Sequence, residues 1–158
     1  MYRFIQKTVL AVVAAFTAGC LSSSAYVPVS VESSDLPVEA KSFIKKHFDG
    51  KTIVKYEKKF WSNSYELELS DGTDIDFDSK GKCTEVSAPD HGVLSTVLVR
   101  ELLPAGACKT LSDQGMLESV EEIQINPTKG YKVEVRHERI DDYRFNNAGQ
   151  MTRVTHDD

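Results

Sequence analysis

The ten residues FDSKGKCTEV at 77–86 return as FNNAGQMTRV at 145–154, with Phe, Gly, Thr and Val at the same four offsets. This constrains the fold more than any single motif does, because a repeated phrase is the trace of one structural unit used twice. The residues before it change period in the same order in both halves. Pro37 opens a helical spacing of Ala40, Phe43, Ile44 and His47 or Phe48, with Glu39 at its positive end and Asp49-Gly50 as its stop. From Lys51 the period falls to two, so Ile53 and Tyr56 lead to Trp61, and Tyr65-Glu66-Leu67-Glu68-Leu69 alternates as a strand. Ser70-Asp71-Gly72-Thr73 reads as a hairpin turn with a two-residue loop, and Asp74-Ile75-Asp76-Phe77 as the returning strand. Asp78-Ser79-Lys80-Gly81 turns again, and residues 82–87 form the last strand.

In the second half, Leu94, Val97, Leu98, Glu101 and Leu102 predict a helix ended by Pro104-Ala105-Gly106, and residues 108–117 read as a looser connection. Residues 120–125 alternate and 126–130 turn; Tyr131-Lys132-Val133-Glu134-Val135 then matches 65–69, and Asp142-Tyr143-Arg144-Phe145 matches 74–77. The expected fold is α+β, with two tandem units at 35–89 and 90–158, each a helix followed by an antiparallel four-strand meander. Together they form one sheet layer covered by helices.

The amino end follows different rules. Arg3 and Lys7 precede a short apolar run at 9–18, too short to span a bilayer, so residues 1–25 read as an export signal and 26–34 as an extended leader. Two cleavage points stay open. Ser23-Ser24-Ala25 suits cleavage after Ala25, whereas Phe16-Thr17-Ala18-Gly19-Cys20 resembles a lipobox, with Thr17 where Leu is usual and Cys20 as the residue acylated. Losing Arg3 and Lys7 takes the formal net charge from −5 to −7. An acidic chain without a basic, aromatic-interleaved run does not bind nucleic acid. Export also leaves Cys83 and Cys108 where disulfides form, as either a bonded pair or two buried thiols. Cys83 aligns with Met151 of the second copy, which favours a core-facing side chain.

Leu36-Pro37, Ala40-Lys41, Phe43-Ile44 and His47-Phe48, followed by Tyr65-Glu66-Leu67, Ser70-Asp71-Gly72-Thr73, Ile75, Phe77-Asp78, Gly81 and Val86, resemble the PepSY-like proteins exported by Bacteroidetes-type bacteria. These are related in fold to the beta-lactamase inhibitory protein, a tandem of two helix-plus-four-strand units. The resemblance covers most of 35–155 and is stronger in the first copy. Cys83 stands where many relatives have Trp, and the family supplies no catalytic residues to transfer.

No enzyme site emerges from the residues themselves. Asp74, Asp76 and Asp78, with Glu85 further on, mimic a calcium loop, but Ile75 and Phe77 intervene and Ser79 holds the position that requires Gly, so they read as the polar face of a strand. His47, His91, His137 and His156 lack ligand spacing, and no cofactor motif occurs. What remains is surface. Alternation places Glu66, Glu68, Asp74 and Asp76 on one open face, matched in the second copy by a mixed field of Lys132, Glu134, Asp142 and Arg144. Trp61 reads either as an aromatic anchor or as ordinary hairpin packing. The expected function is non-enzymatic binding of an envelope or exterior protein, with inhibition of a hydrolase as its sharpest form. In that reading the sheet face and the loops around Asp71-Gly72 and His137-Glu138 meet the partner. The alternatives are a small-ligand or metal-ion sensing module and a structural lipoprotein held to the membrane through Cys20.

Overall fold

Short turns bring consecutive alternating segments back on themselves, so each strand pairs with the next. The computed structural model, which describes residues 35–137 and 140–156, shows the outcome as one eight-stranded antiparallel sheet in chain order. The segments expected to be an export signal and a leader, with Cys20, lie outside the described residues, as does Glu138. The first half supplies β1 (Ile53–Lys59), β2 (Ser64–Leu69), β3 (Asp74–Phe77) and β4 (Cys83–Ser87). The second supplies β5 (Val120–Asn126), β6 (Gly130–Arg136), β7 (Ile140–Phe145) and β8 (Met151–His156). The halves meet at β4 and β5, where Glu85, Val86 and Ser87 sit opposite Gln124, Ile123 and Glu122. Three helices, α1 (Val38–His47), α2 (Thr96–Leu102) and α3 (Ala105–Asp113), share one core with the apolar side of the sheet.

The apolar side follows the period-two reading. Leu67, Leu69, Ile75 and Phe77 are buried in the first half, and Val133, Tyr143 and Phe145 in the second. Phe43 of α1 sets its ring edge-on to Phe77 at 5.6 Å. Burying one such side chain contributes about 1.5–3 kcal/mol. Across the core, Glu101 of α2 receives Lys46 of α1 at 2.6 Å and lies 3.2 Å from the buried His47 ring, so helices from the two halves are also joined at their ends.

The turns explain the repeated phrase. In the first copy the Asp78 N–H donates to the Lys82 carbonyl and the Gly81 N–H to the Asp78 carbonyl; in the second, Asn146 pairs with Gln150 and Gly149 with Asn146 in the same way. Each turn is capped by its own side chain. The Asp78 carboxylate accepts the N–H groups of Lys80 at 2.8 Å and Lys82 at 2.9 Å, and the Asn146 amide oxygen accepts those of Ala148 and Gln150. The Asp71-Gly72 turn uses the same plan, since the Leu69 N–H donates to the Thr73 carbonyl at 2.8 Å. Its loop therefore holds three residues, 70–72, rather than the expected two.

Gly81 and Gly149 are required for a second reason. A Cβ at Gly81 would lie 2.8 Å from both the Ala40 nitrogen and Pro37, and one at Gly149 would lie 2.8 Å from Pro104 and 2.9 Å from the Ala107 nitrogen. Each turn thus presses on the start of a helix, and the two helix starts match as Leu36-Pro37-x-x-Ala40 and Leu103-Pro104-x-x-Ala107. The counterpart of α1 is therefore α3. This corrects the expectation that residues 94–102 are the repeated helix and 108–117 a loose connection. Pro104 does end α2, but its fixed φ also opens α3, and a single proline in a sequence does not say which role it has. α2 is an additional helix, capped by the Ser95 hydroxyl, which accepts the Leu98 N–H at 3.3 Å.

Gly149→Ala should destabilise the protein by about 2–4 kcal/mol, from left-handed strain plus displacement of the α3 start. Gly115→Ala, at a left-handed position with open space around it, should lose only about 1 kcal/mol. Urea unfolding of the two variants measures the difference, and equal losses would disprove the packing role of Gly149.

Candidate functional site

The face of the sheet away from the helices is ordered by register into two rows that cross all eight strands. The row nearer the repeated turns runs Glu57, Glu66, Asp76, Glu85 over the first half, then Gln124, Lys132, Arg144, Arg153 over the second. Its charge changes sign at the joint between the halves. The next row starts at Lys55, continues through Glu68, Asp74 and Ser87, and goes on as Glu122, Glu134 and Asp142 before ending at Thr155. That row stays acidic across both halves. The mixed field expected in the second half is thus sorted: its cations lie in one row and its carboxylates in the other.

Carboxylates facing each other across adjacent strands repel, each pair by a few tenths to about 1 kcal/mol, so these rows work against stability. Lysines offset part of the repulsion. Lys59 pairs with Glu66, and together with Lys55, Asp74, Asp76 and Glu85 they line an open depression of about 470 Å³. Lys132 sits 2.9 Å from Asp142 and 3.6 Å from Glu134. Burial lowers the Lys132 pKa, but Asp142 and its acidic neighbours outweigh it and hold the ammonium above its ordinary value. Glu134 is raised above the usual carboxylate value, first by burial and then by Glu122. At the β2–β3 turn Asp71 lines an open depression together with Glu68 and Asp74 of the acidic row. Burial acts to raise its pKa, but the Thr73 N–H and Lys51, 3.4 Å away, hold it below the ordinary value.

The residues singled out from sequence do not form one patch. Glu66, Glu68, Asp74 and Asp76 come together on β2 and β3, as alternation requires. Arg144 lies on β7, at the other end of the row that begins in the first half. Trp61 sits in the β1–β2 loop with Phe60 and is 90% exposed, so it belongs to no hairpin packing. Asp71 and His137 lie at the opposite end of the strands from Trp61. Sequence reasoning did not connect Glu122 to this site. Its parity was readable, but its place beside Glu134 depends on the β5–β6 register.

Cys83 and Cys108 are both free and buried, which decides the open alternative against a disulfide. The physical reason is placement. The Cys83 thiol reaches the Glu85 carbonyl at 3.4 Å within β4, whereas the Cys108 thiol points between α2 and α3 toward the Leu103 carbonyl at 3.7 Å. Burial pushes the Cys83 thiol up to about 12 and raises that of Cys108 as well. Asp78, the third carboxylate of the calcium-like run, is occupied in capping its turn. Among the described residues, no three His, Cys, Asp or Glu side chains gather into a group able to hold a metal. His156 pairs with Asp141 at 2.6 Å at the β7–β8 margin.

The family described as "Putative beta-lactamase-inhibitor-like, PepSY-like" matches this sequence twice, over residues 25–85 and 63–152. The chain belongs to this family. The two overlapping matches fit a fold built from two tandem units. Solved structures with the same fold include a "putative periplasmic protein of unknown function" from Bacteroides vulgatus, 24% identical, with a TM-score of 0.65 over 79% of this chain and 95% of the other. Another is a "putative calcium-regulated periplasmic protein" from Bacteroides thetaiotaomicron, 23% identical, with a TM-score of 0.63 over 79% of this chain and 94% of the other. No curated protein matches the chain.

Two outcomes check this chemistry. Iodoacetamide at pH 8 without reductant should leave Cys83 and Cys108 unmodified in the folded PepSY-like protein and alkylate both after unfolding; a mass showing both protected after unfolding would mean a disulfide. Because the folded Glu134 carboxyl has a raised pKa, the folded state binds the extra proton just above the ordinary carboxylate value. Stability therefore falls as pH rises through that window, and the loss is complete once pH exceeds the folded pKa. Glu134→Gln should flatten that fall and match or exceed the parent's stability at pH 7, read as urea midpoints from pH 4 to 7.

Proposed function

We propose that this PepSY-like protein is a non-enzymatic, exported binding module that holds a basic partner protein on the open face of its sheet. One observation carries the reading: the acidic row from Glu68 through Asp74, Glu122 and Glu134 to Asp142, unbroken in sign across the joint. From β2 to β7 this row spans about 24 Å, at about 4.8 Å per strand. Repulsion among its members weakens the isolated fold, and a cationic surface laid across it relieves that repulsion on binding. The field of the row steers such a partner to the face, and Lys132, Arg144 and Arg153 fix its orientation by excluding cations from one corner. Asp71, which lines an open depression with Glu68 and Asp74, adds a carboxylate beside the row. Export is supported by the charged and apolar pattern of residues 1–25, and the relatives described as periplasmic point the same way.

Inhibition of an envelope or extracellular hydrolase is the sharper form of this function. It follows where the cationic surface borders the hydrolase's cleft, since a sheet seated there blocks substrate. Fold relationship alone does not assign that role.

Immobilised protein should retain one basic envelope protein in near-equal amount. The variant Glu66→Gln, Glu68→Gln, Asp74→Asn, Asp76→Asn should bind it at least about ten-fold more weakly, and added salt should weaken the parent toward the variant. Equal retention by parent and variant across salt concentrations would sink the sheet-face assignment. A retained hydrolase that keeps full activity when saturated would exclude inhibition while leaving binding intact.

A further inference from the structure

The two copies agree strand by strand in how they pair. β1 sets Glu57, Tyr56, Lys55 and Ile53 against Glu66, Leu67, Glu68 and Leu69 of β2, stepping over Val54 in a bulge. β5 sets Gln124, Ile123, Glu122 and Val120 against Lys132, Val133, Glu134 and Val135 of β6, stepping over Glu121 in the same way. β4 and β8 match as closely, and each steps over a threonine, Thr84 or Thr152. In shape β1 is therefore a second β5, and β8 a second β4.

Inside the chain these two kinds of strand join, with Glu85, Val86 and Ser87 opposite Gln124, Ile123 and Glu122. Among the described residues β1 and β8 are the two edges of the sheet, so each turns a row of backbone N–H and C=O groups outward. A bulge is one way of blunting an edge, yet β5 has the same bulge and still pairs with β4.

We infer that the protein associates head to tail with a second copy of itself, β8 of one copy continuing the sheet into β1 of the next. Copying the internal joint sets Arg153, Val154 and Thr155 against Glu57, Tyr56 and Lys55 of the next copy. Arg153 and Glu57 are both exposed, and neither forms a salt bridge within the described residues. The other charges on the two edges are accommodated. Lys59 pairs with Glu66, Lys58 lies over the Tyr65 ring at 5.5 Å, and His156 pairs with Asp141 at 2.6 Å. Lys55 would face Thr155, whose neighbour on β7 is Asp142.

The open face fits as well, because the cations Lys132, Arg144 and Arg153 run on into Glu57, Glu66 and Asp76 of the next copy. A two-fold pairing of β1 with itself would instead set two acidic halves side by side. The helices leave room for the joint. Across the internal one, α2 touches both Lys46 of α1 and Cys108 of α3, and no described helix would stand between α3 of one copy and α1 of the next. Such a contact uses different patches on the two copies, so it builds an open chain or a ring. It leaves the open face exposed, and its failure leaves the partner-binding reading untouched.

The test follows average mass by sedimentation equilibrium in low salt, using exported protein with Cys20→Ser so that no lipid anchor contributes. Three strand pairs make a small contact, so the series runs to about 1 mM protein. Mass should rise with concentration and fall back with added salt. Glu57→Arg and Arg153→Glu should each weaken association at least about five-fold, because each turns an attracting cross-strand pair into a repelling one. An equimolar mixture of the two variants should come back to within about three-fold of the parent, since each supplies the edge the other lacks. Recovery on mixing also shows that both variants are folded. A parent that stays monomeric, or a mixture no better than its components, overturns the proposal. An effect of only one of the two reversals does so too, because it means a two-fold pairing of β1 or of β8.

Discussion

Three cross-strand pairs between β4 and β5 decide what kind of molecule this is. Without them the chain would be two four-stranded units, each with a short open edge, and the polar face would end at Ser87. With them, Val86 meets Ile123 inside a common core, and Ser87 passes the acidic row from Asp74 to Glu122. The ion pair of Lys46 with Glu101 closes the helical layer over the same seam. A shift of one residue at this joint would turn Val86 and Ile123 toward water and bring carboxylates into the core, which is why the register is held so firmly.

The duplication is conserved in its contacts more than in its outline. Both copies keep a buried Phe, an Asx-capped turn and a glycine pressed on the start of a helix whose third residue is a buried Ala. These features depend on distances below van der Waals contact for any larger side chain, so they tolerate little change. What lies between the copies is free to vary, and α2 was accommodated there as an additional helix packed on the same core. The closing strands diverge for a topological reason. β4 is interior and buries Cys83, whereas β8 is an edge strand and exposes the equivalent Met151.

The surface departs from a uniformly solvated one in two places. Across the strands, one row changes from carboxylate to cation while its neighbour stays acidic; along the strands, the exposed aromatics Phe60 and Trp61 stand at one end. A face that repels itself and a loop that holds two aromatic rings in water both lower the stability of the isolated chain. Each lies where the core makes no demand on it. Such features are retained when something outside the chain relieves them.

Sequence by itself determined the class of fold, the two copies, the inward and outward side of almost every strand, and the carboxylates of the first sheet half. These depend on local periods and turn residues, which a chain carries wherever it goes. It determined less where one residue has two meanings. Pro104 ends one helix and begins another, and only the contact of Gly149 with that site shows α3 as the repeated element. The tertiary structure alone decided that Cys83 and Cys108 stay apart, that Arg144 stands far from Glu66 along one row, and that Trp61 points into solvent. Parity assigns a residue to a face, but its position on that face depends on loop lengths and strand order, and these are properties of the paired sheet rather than of any segment within it.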